Sequence, residues 1–124
     1  MQNPVTQFIN EKQKELPKTI TPKDVGRETN LVFTIEARTF LPQSNLPEKL
    51  LFIERLKKGK VNLSKIAYPS AWEENDYEYR FGYYIIGKIG KRKSKWTFGQ
   101  FCPIISRGDL EKLILKAKKE KTII

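Results

Sequence analysis

The chain has 124 residues, with 24 Lys and Arg against 14 Asp and Glu, no histidine, one cysteine and a formal net charge of +10. A length near the modal domain size supports one hydrophobic core, so a single domain over residues 1–124 is expected, and seven Phe, five Tyr and two Trp are too many large apolar groups for a disordered polyelectrolyte. The missing histidine removes the usual base of nucleophile enzymes and the commonest transition-metal ligand, one cysteine excludes an internal disulfide or a Cys/His zinc cage, and no apolar run reaches the roughly 18 residues of a membrane span.

Asn3 and Pro4, followed by Val5, Phe8, Ile9 and Leu16, give an N-cap, a proline at the first helical position and apolar residues at helical spacing. An amphipathic helix ending before Pro17 is expected there, then a loop over Pro17–Asn30. Residues 1–29 read as a helical arm and loop ahead of an α+β core over 30–124; the helix is either a detachable arm that docks on a partner or the edge of the core. Leu31, Phe33 and Ile35 alternate with Val32, Thr34 and Glu36, the period-two pattern of a half-buried strand. Pro42, Ser44, Asn45 and Pro47 break the chain, and Glu48–Lys58 is compatible with a helix packing Leu50, Leu51, Phe52, Ile53 and Leu56 and ended by Gly59. Lys60–Ser70 is a strand or an ordered loop.

Tyr77–Ile89 is aromatic and β-branched, as a central strand should be. Gly90–Lys95 is a basic connection, and Trp96–Cys102 resumes an extended pattern, which together make a β-hairpin with a basic tip. Ser106 and Asp109 form an S-x-x-D variant of the capping box, and Leu110, Leu113, Ile114 and Ala117 recur at helical spacing. A C-terminal helix is expected, with Lys112, Lys116 and Lys119 on its other face. The fold class is α+β: a small antiparallel sheet of three to five strands centred on Tyr77–Cys102, the C-terminal helix across one face, and one or two N-terminal helices outside.

Up to Glu54 the chain holds seven basic and seven acidic residues, so the whole +10 belongs to Arg55–Ile124. A concentrated positive field favours phosphate backbones through counterion release. A lysine- and isoleucine-rich composition also arises without any polyanion partner, for example in thermophiles. Basic groups interleaved with aromatics on a sheet suit single-stranded nucleic acid, because cations track phosphates while rings stack on bases. The candidate binding residues are Arg80, Tyr84, Lys88, Lys91, Arg92, Lys93, Lys95 and Gln100 on and around the hairpin, with Lys112, Lys116 and Lys119 on the helix. Against that stands the ordinary reading, in which strand aromatics are core and a Lys/Arg-rich turn is merely solvated. Between the two strand aromatics, Trp96 is expected as a core anchor against the C-terminal helix and Tyr84 as the ring available for stacking.

Two carboxylate patterns invite a metal reading. Glu73, Glu74, Asp76 and Glu78 cluster just before the hairpin, where they either hold a divalent cation or balance neighbouring lysines. Asp24 with Glu36-Ala37-Arg38 resembles the D…E-x-K arrangement of restriction-type nucleases, with arginine, a poor proton acceptor, at the lysine position. The hairpin and final helix, Tyr77–Lys119, are similar in element order to small coactivator-type and whirly-type single-strand binders, a topological analogy without a diagnostic motif. The function expected is non-catalytic binding of DNA or RNA, or membership of a nucleoprotein complex, in the cytoplasm, with no cofactor, no metal and no membrane partner. An interaction subunit or inhibitor docking through an aromatic face is the alternative, and a Mg²⁺-dependent nuclease the third.

Overall fold

The elements follow in the order α1 (Pro4–Lys14), β1 (Lys18–Ile20), β2 (Phe33–Gln43), β3 (Leu46–Lys58), β4 (Tyr77–Ile86), β5 (Trp96–Phe98) and α2 (Arg107–Lys119). A computed structural model describes residues 3–21, 31–87, 95–99 and 103–124. The strands form one five-stranded antiparallel sheet in which spatial order equals chain order, with a helix on each face. The α+β class and the C-terminal helix expected from the sequence are therefore present. No helix among the described residues is long and apolar enough to cross a membrane.

The segment Glu48–Lys58 is a strand, not the helix its apolar residues suggested. Leu50, Leu51, Phe52, Ile53 and Leu56 are all buried, because β3 is the middle strand and both of its faces are covered. Such a strand shows a continuous apolar run with no alternation, and periodicity alone does not separate that run from a buried helix. The sheet is accordingly centred on β3 rather than on Tyr77–Cys102. The Pro17–Asn30 stretch, read as loop, contributes the short strand β1 at the sheet edge. The expected break at Pro42–Pro47 narrows to a two-residue turn at Ser44 and Asn45, with Gln43 paired to Leu46. Lys60–Ser70 is an ordered loop with a 3₁₀ turn at Leu63–Lys65.

Odd residues of β3 face α2 and even residues face α1. On the α2 side Leu51, Ile53, Tyr83, Leu113 and Ala117 form one buried cluster. On the α1 side Phe40, Leu50, Phe52 and Tyr84 form another, covered by Val5, Phe8, Ile9 and Trp96. Phe33, Ile35 and Leu56 continue the α1 side with Trp72 packed against them, its indole N–H donating to the Gly59 carbonyl at 3.0 Å.

Both helices also close the exposed edge of β2. Gln13 of α1 donates to the Arg38 carbonyl at 2.8 Å, and Lys116 of α2 donates to the Phe40 carbonyl at 2.5 Å. Arg38, Phe40 and Pro42 lie two residues apart, so their backbones point the same way, and the N–H that Pro42 lacks falls on this outer side, where no strand among the described residues pairs with it. Capping an edge in this manner blocks pairing with another chain.

Helix α2 is tied down at both ends. Ser106 Oγ accepts from the Asp109 N–H at 3.1 Å, and the Asp109 carboxylate accepts from the N–H and hydroxyl of Ser44 at 3.1 and 3.0 Å, locking the β2–β3 turn to the first helical turn. The Ser44 backbone N–H, with the two serine hydroxyls and Lys112 adding to it, holds Asp109 below the usual carboxylate range against the effect of burial. At the other end the Thr122 N–H donates to the Ala117 carbonyl and the Lys121 N–H to the Lys118 carbonyl, with Lys121 at φ 62°, a Schellman motif lacking its usual glycine. Arg55 donates to the Lys121 carbonyl at 2.6 Å and carries the tail across the sheet.

Candidate nucleic-acid interface

The sequence-predicted residues separate into four groups. Lys88, Lys91, Arg92, Lys93 and Gln100 lie outside the described residues. Lys95, Lys112 and Lys119 are exposed, Lys95 just before β5 and the other two on α2. Lys116 is half-buried and bonded to the Phe40 carbonyl, so it is held to the sheet edge and is removed from the set of free cations. Arg80 and Tyr84 belong to the α1 side of the sheet.

Tyr84 is only 7% exposed. Its ring meets Phe8 edge-on at 5.1 Å between centroids, Phe52 at 5.3 Å and Phe98 at 5.5 Å, which corrects the expectation of an outward stacking ring. Burial, reinforced by the Glu54 carboxylate, pushes its phenol above the ordinary value and keeps it protonated. Trp96 is corrected as well: it stacks on Phe8 of α1 at 4.9 Å rather than packing under α2. Pairing Tyr84 with Phe98 and Ile86 with Trp96 puts all four on one sheet face, and that face is the one α1 folds back to cover.

Across the same face runs a row of charge that the sequence did not reveal. Arg38, Glu54 and Arg80 are direct cross-strand partners on β2, β3 and β4. The carboxylate of Glu54 is fully buried; one oxygen accepts from Arg38 Nε at 2.6 Å and the other from Arg80 Nε at 2.6 Å. Arg38 Nη1 donates further to the Lys12 carbonyl at 2.7 Å and to the Glu15 carboxylate at 2.9 Å, fastening the end of α1 to the sheet. Burial opposes the charge on Arg38, but the two carboxylates outweigh it and raise its affinity for the proton above that of a free guanidinium. Burial likewise pushes Glu15 up, and the Arg38 hydrogen bond with the charges of Lys12, Lys18 and Arg38 reverses this, leaving it below the usual range.

Arg80 differs from Arg38 in being partly open, its side chain 30% exposed. Its guanidinium lies 5.5 Å from the centre of the Phe98 ring, and Phe98 is 43% exposed. Gly82, between Arg80 and Tyr84 on this face, makes the arrangement possible. A Cβ there would come within 2.9 Å of the Phe52 ring, and it is across this gap that Phe52 reaches Phe98, at 5.7 Å between centroids.

Of the nuclease-like residues, the two described ones, Glu36 and Arg38, are not brought together. Glu36 reaches Arg55 at 3.5 Å on the α2 side, whereas Arg38 points to the α1 side and is bound to two carboxylates; Asp24 lies outside the described residues. Among the described residues no three His, Cys, Asp or Glu side chains are grouped to hold a metal ion. No protein-family model, curated protein or solved structure matches the chain.

Proposed function

We propose that the chain is a non-catalytic nucleic-acid-binding protein that meets DNA or RNA with its C-terminal part, in a reducing, cytoplasmic setting. The observation that carries this reading is the unbalanced exterior of α2 and its tail. Arg107, Lys112, Lys118, Lys119 and Lys121 are exposed there. Of the acids on the same stretch, Asp109 is buried on the Ser44 turn, while Glu111 and Glu120 are exposed, the latter accepting from the Thr39 hydroxyl, so five exposed cations face two exposed acids. Segment 88–95 adds Lys88, Lys91, Arg92, Lys93 and Lys95 with no acid among them. Such a field attracts phosphates by counterion release.

Titrating labelled duplex DNA, single-stranded DNA and RNA across a salt series tests the proposal. If about four to six phosphates of a duplex are neutralised, affinity falls by about two to three orders of magnitude between 50 and 200 mM salt. Lys112, Lys118 and Lys119 changed together to Gln should weaken binding without lowering the melting temperature. Absence of binding at low salt, or binding with no salt slope, refutes it. Docking on another protein is the second reading, supported by exposed Tyr79, Phe81 and Ile124, the first and last joined by a hydrogen bond through the Tyr79 hydroxyl.

A further inference from the structure

Within that nucleic-acid reading, on which this inference rests, we infer that Phe98 and Arg80 form a nucleotide subsite for single-stranded DNA or RNA, a base stacking on the open side of the Phe98 ring while the Arg80 guanidinium donates to the adjoining phosphate.

Three observations converge on this pair. First, Phe98 has an exposed ring that is nevertheless held in place: Phe52 and Tyr84, both buried, pack against it, and the Phe52 contact needs the missing side chain of Gly82. A fixed ring with an open face is the group on which bases stack whatever their sequence. Second, Arg80 is oriented in advance. Its Nε is bound to the buried Glu54 carboxylate, and its Nη atoms have no hydrogen-bond partner among the described residues. Such a guanidinium presents a planar fork without losing rotamer freedom on binding, which suits a phosphate. Third, Glu54 does not cancel that charge. The same carboxylate also carries Arg38, so the Arg38–Glu54–Arg80 row is positive by one unit, and the other acid, Glu15, touches it only at the far end on Arg38. In sequence, Phe98 also follows closely on the basic run 88–95.

The experiment compares fluorescein-labelled dT15 with an oligonucleotide of the same length containing abasic residues, by fluorescence anisotropy. The wild-type chain should prefer dT15. Phe98→Leu should lose about 5- to 150-fold in dT15 affinity, the equivalent of 1–3 kcal/mol of base stacking. Phe98→Trp should restore it, and Phe98→Leu should bind the abasic strand like the wild type. Arg80→Lys should weaken both strands, since a point charge replaces the fork. Equal wild-type affinity for dT15 and the abasic strand overturns the subsite without requiring any variant. So does salt-sensitive dT15 binding that survives Phe98→Leu unchanged, an outcome that leaves the broader nucleic-acid reading standing. Failure of the wild type to bind any nucleic acid at low salt removes both.

Discussion

Replacing Arg38 by Met removes one of the two cations on a carboxylate that has no access to water. Glu54 is fully buried and its Arg38 bond is 2.6 Å long; breaking a buried pair by deleting one partner costs about 3–5 kcal/mol, because the remaining charge loses its compensation without regaining its hydration. The same change frees the Lys12 carbonyl and Glu15, so it also loosens the end of α1. Against a total stability of about 5–15 kcal/mol, the variant should be severely weakened, with a fall in melting temperature of roughly 10–20 °C for a chain of this size. The double variant Arg38→Met with Glu54→Leu removes the stranded charge, and Arg80, being partly exposed, can be hydrated when its partner is gone. It should therefore be more stable than Arg38→Met alone, by about 2 kcal/mol or more. Urea unfolding followed by circular dichroism on wild type, both single variants and the double gives the coupling energy directly. If the two single losses simply add, the row is not an electrostatic unit and the reasoning from its geometry fails.

Asp109 supplies a pH dependence. Its folded pKa lies below the ordinary value, so its contribution is present above the unfolded aspartate range and is lost as pH falls through that range towards the lower folded value; acid titration of wild type should show this loss, and Asp109→Asn should flatten that part of the curve. Lys121→Gly removes a side chain from a left-handed position at φ 62° and should raise stability by about 0.5–1 kcal/mol in urea unfolding; a loss would mean that the lysine makes a stabilising contact. Tyr84→Ala should cost about 3–5 kcal/mol as a core truncation, and a Tyr84→Ala chain as stable as wild type would place the ring outside the core after all.

The helices were legible because their signals are local. Asn3 with Pro4, and Ser106 with Asp109, mark helix N-termini that need capping partners within three residues, and both Asn3 and Ser106 do cap their helices. Strand β4 was legible from its aromatic and β-branched composition, although which of its faces is covered was not. That depends on α1, which returns from the other end of the chain to put Phe8 over Tyr84 and Trp96, a contact with no trace in the period-two pattern of residues 77–86. Strand β3 was hidden because burial on both sides erases alternation. The charge row was hidden by register: from Gln43↔Leu46 at the turn, simple counting pairs Arg38 with Leu51, and only the register shift between Pro42 and Gln43, which pairs Pro42 with Leu50, brings Arg38 opposite Glu54. The sequence by itself determined the caps, the apolar content and the concentration of charge after Glu54, all properties of neighbouring residues or of sums over them. Which aromatic stays open, which lysine is held to the sheet edge and which arginines share a buried carboxylate were decided by the tertiary structure, because each depends on residues between sixteen and eighty-eight positions apart.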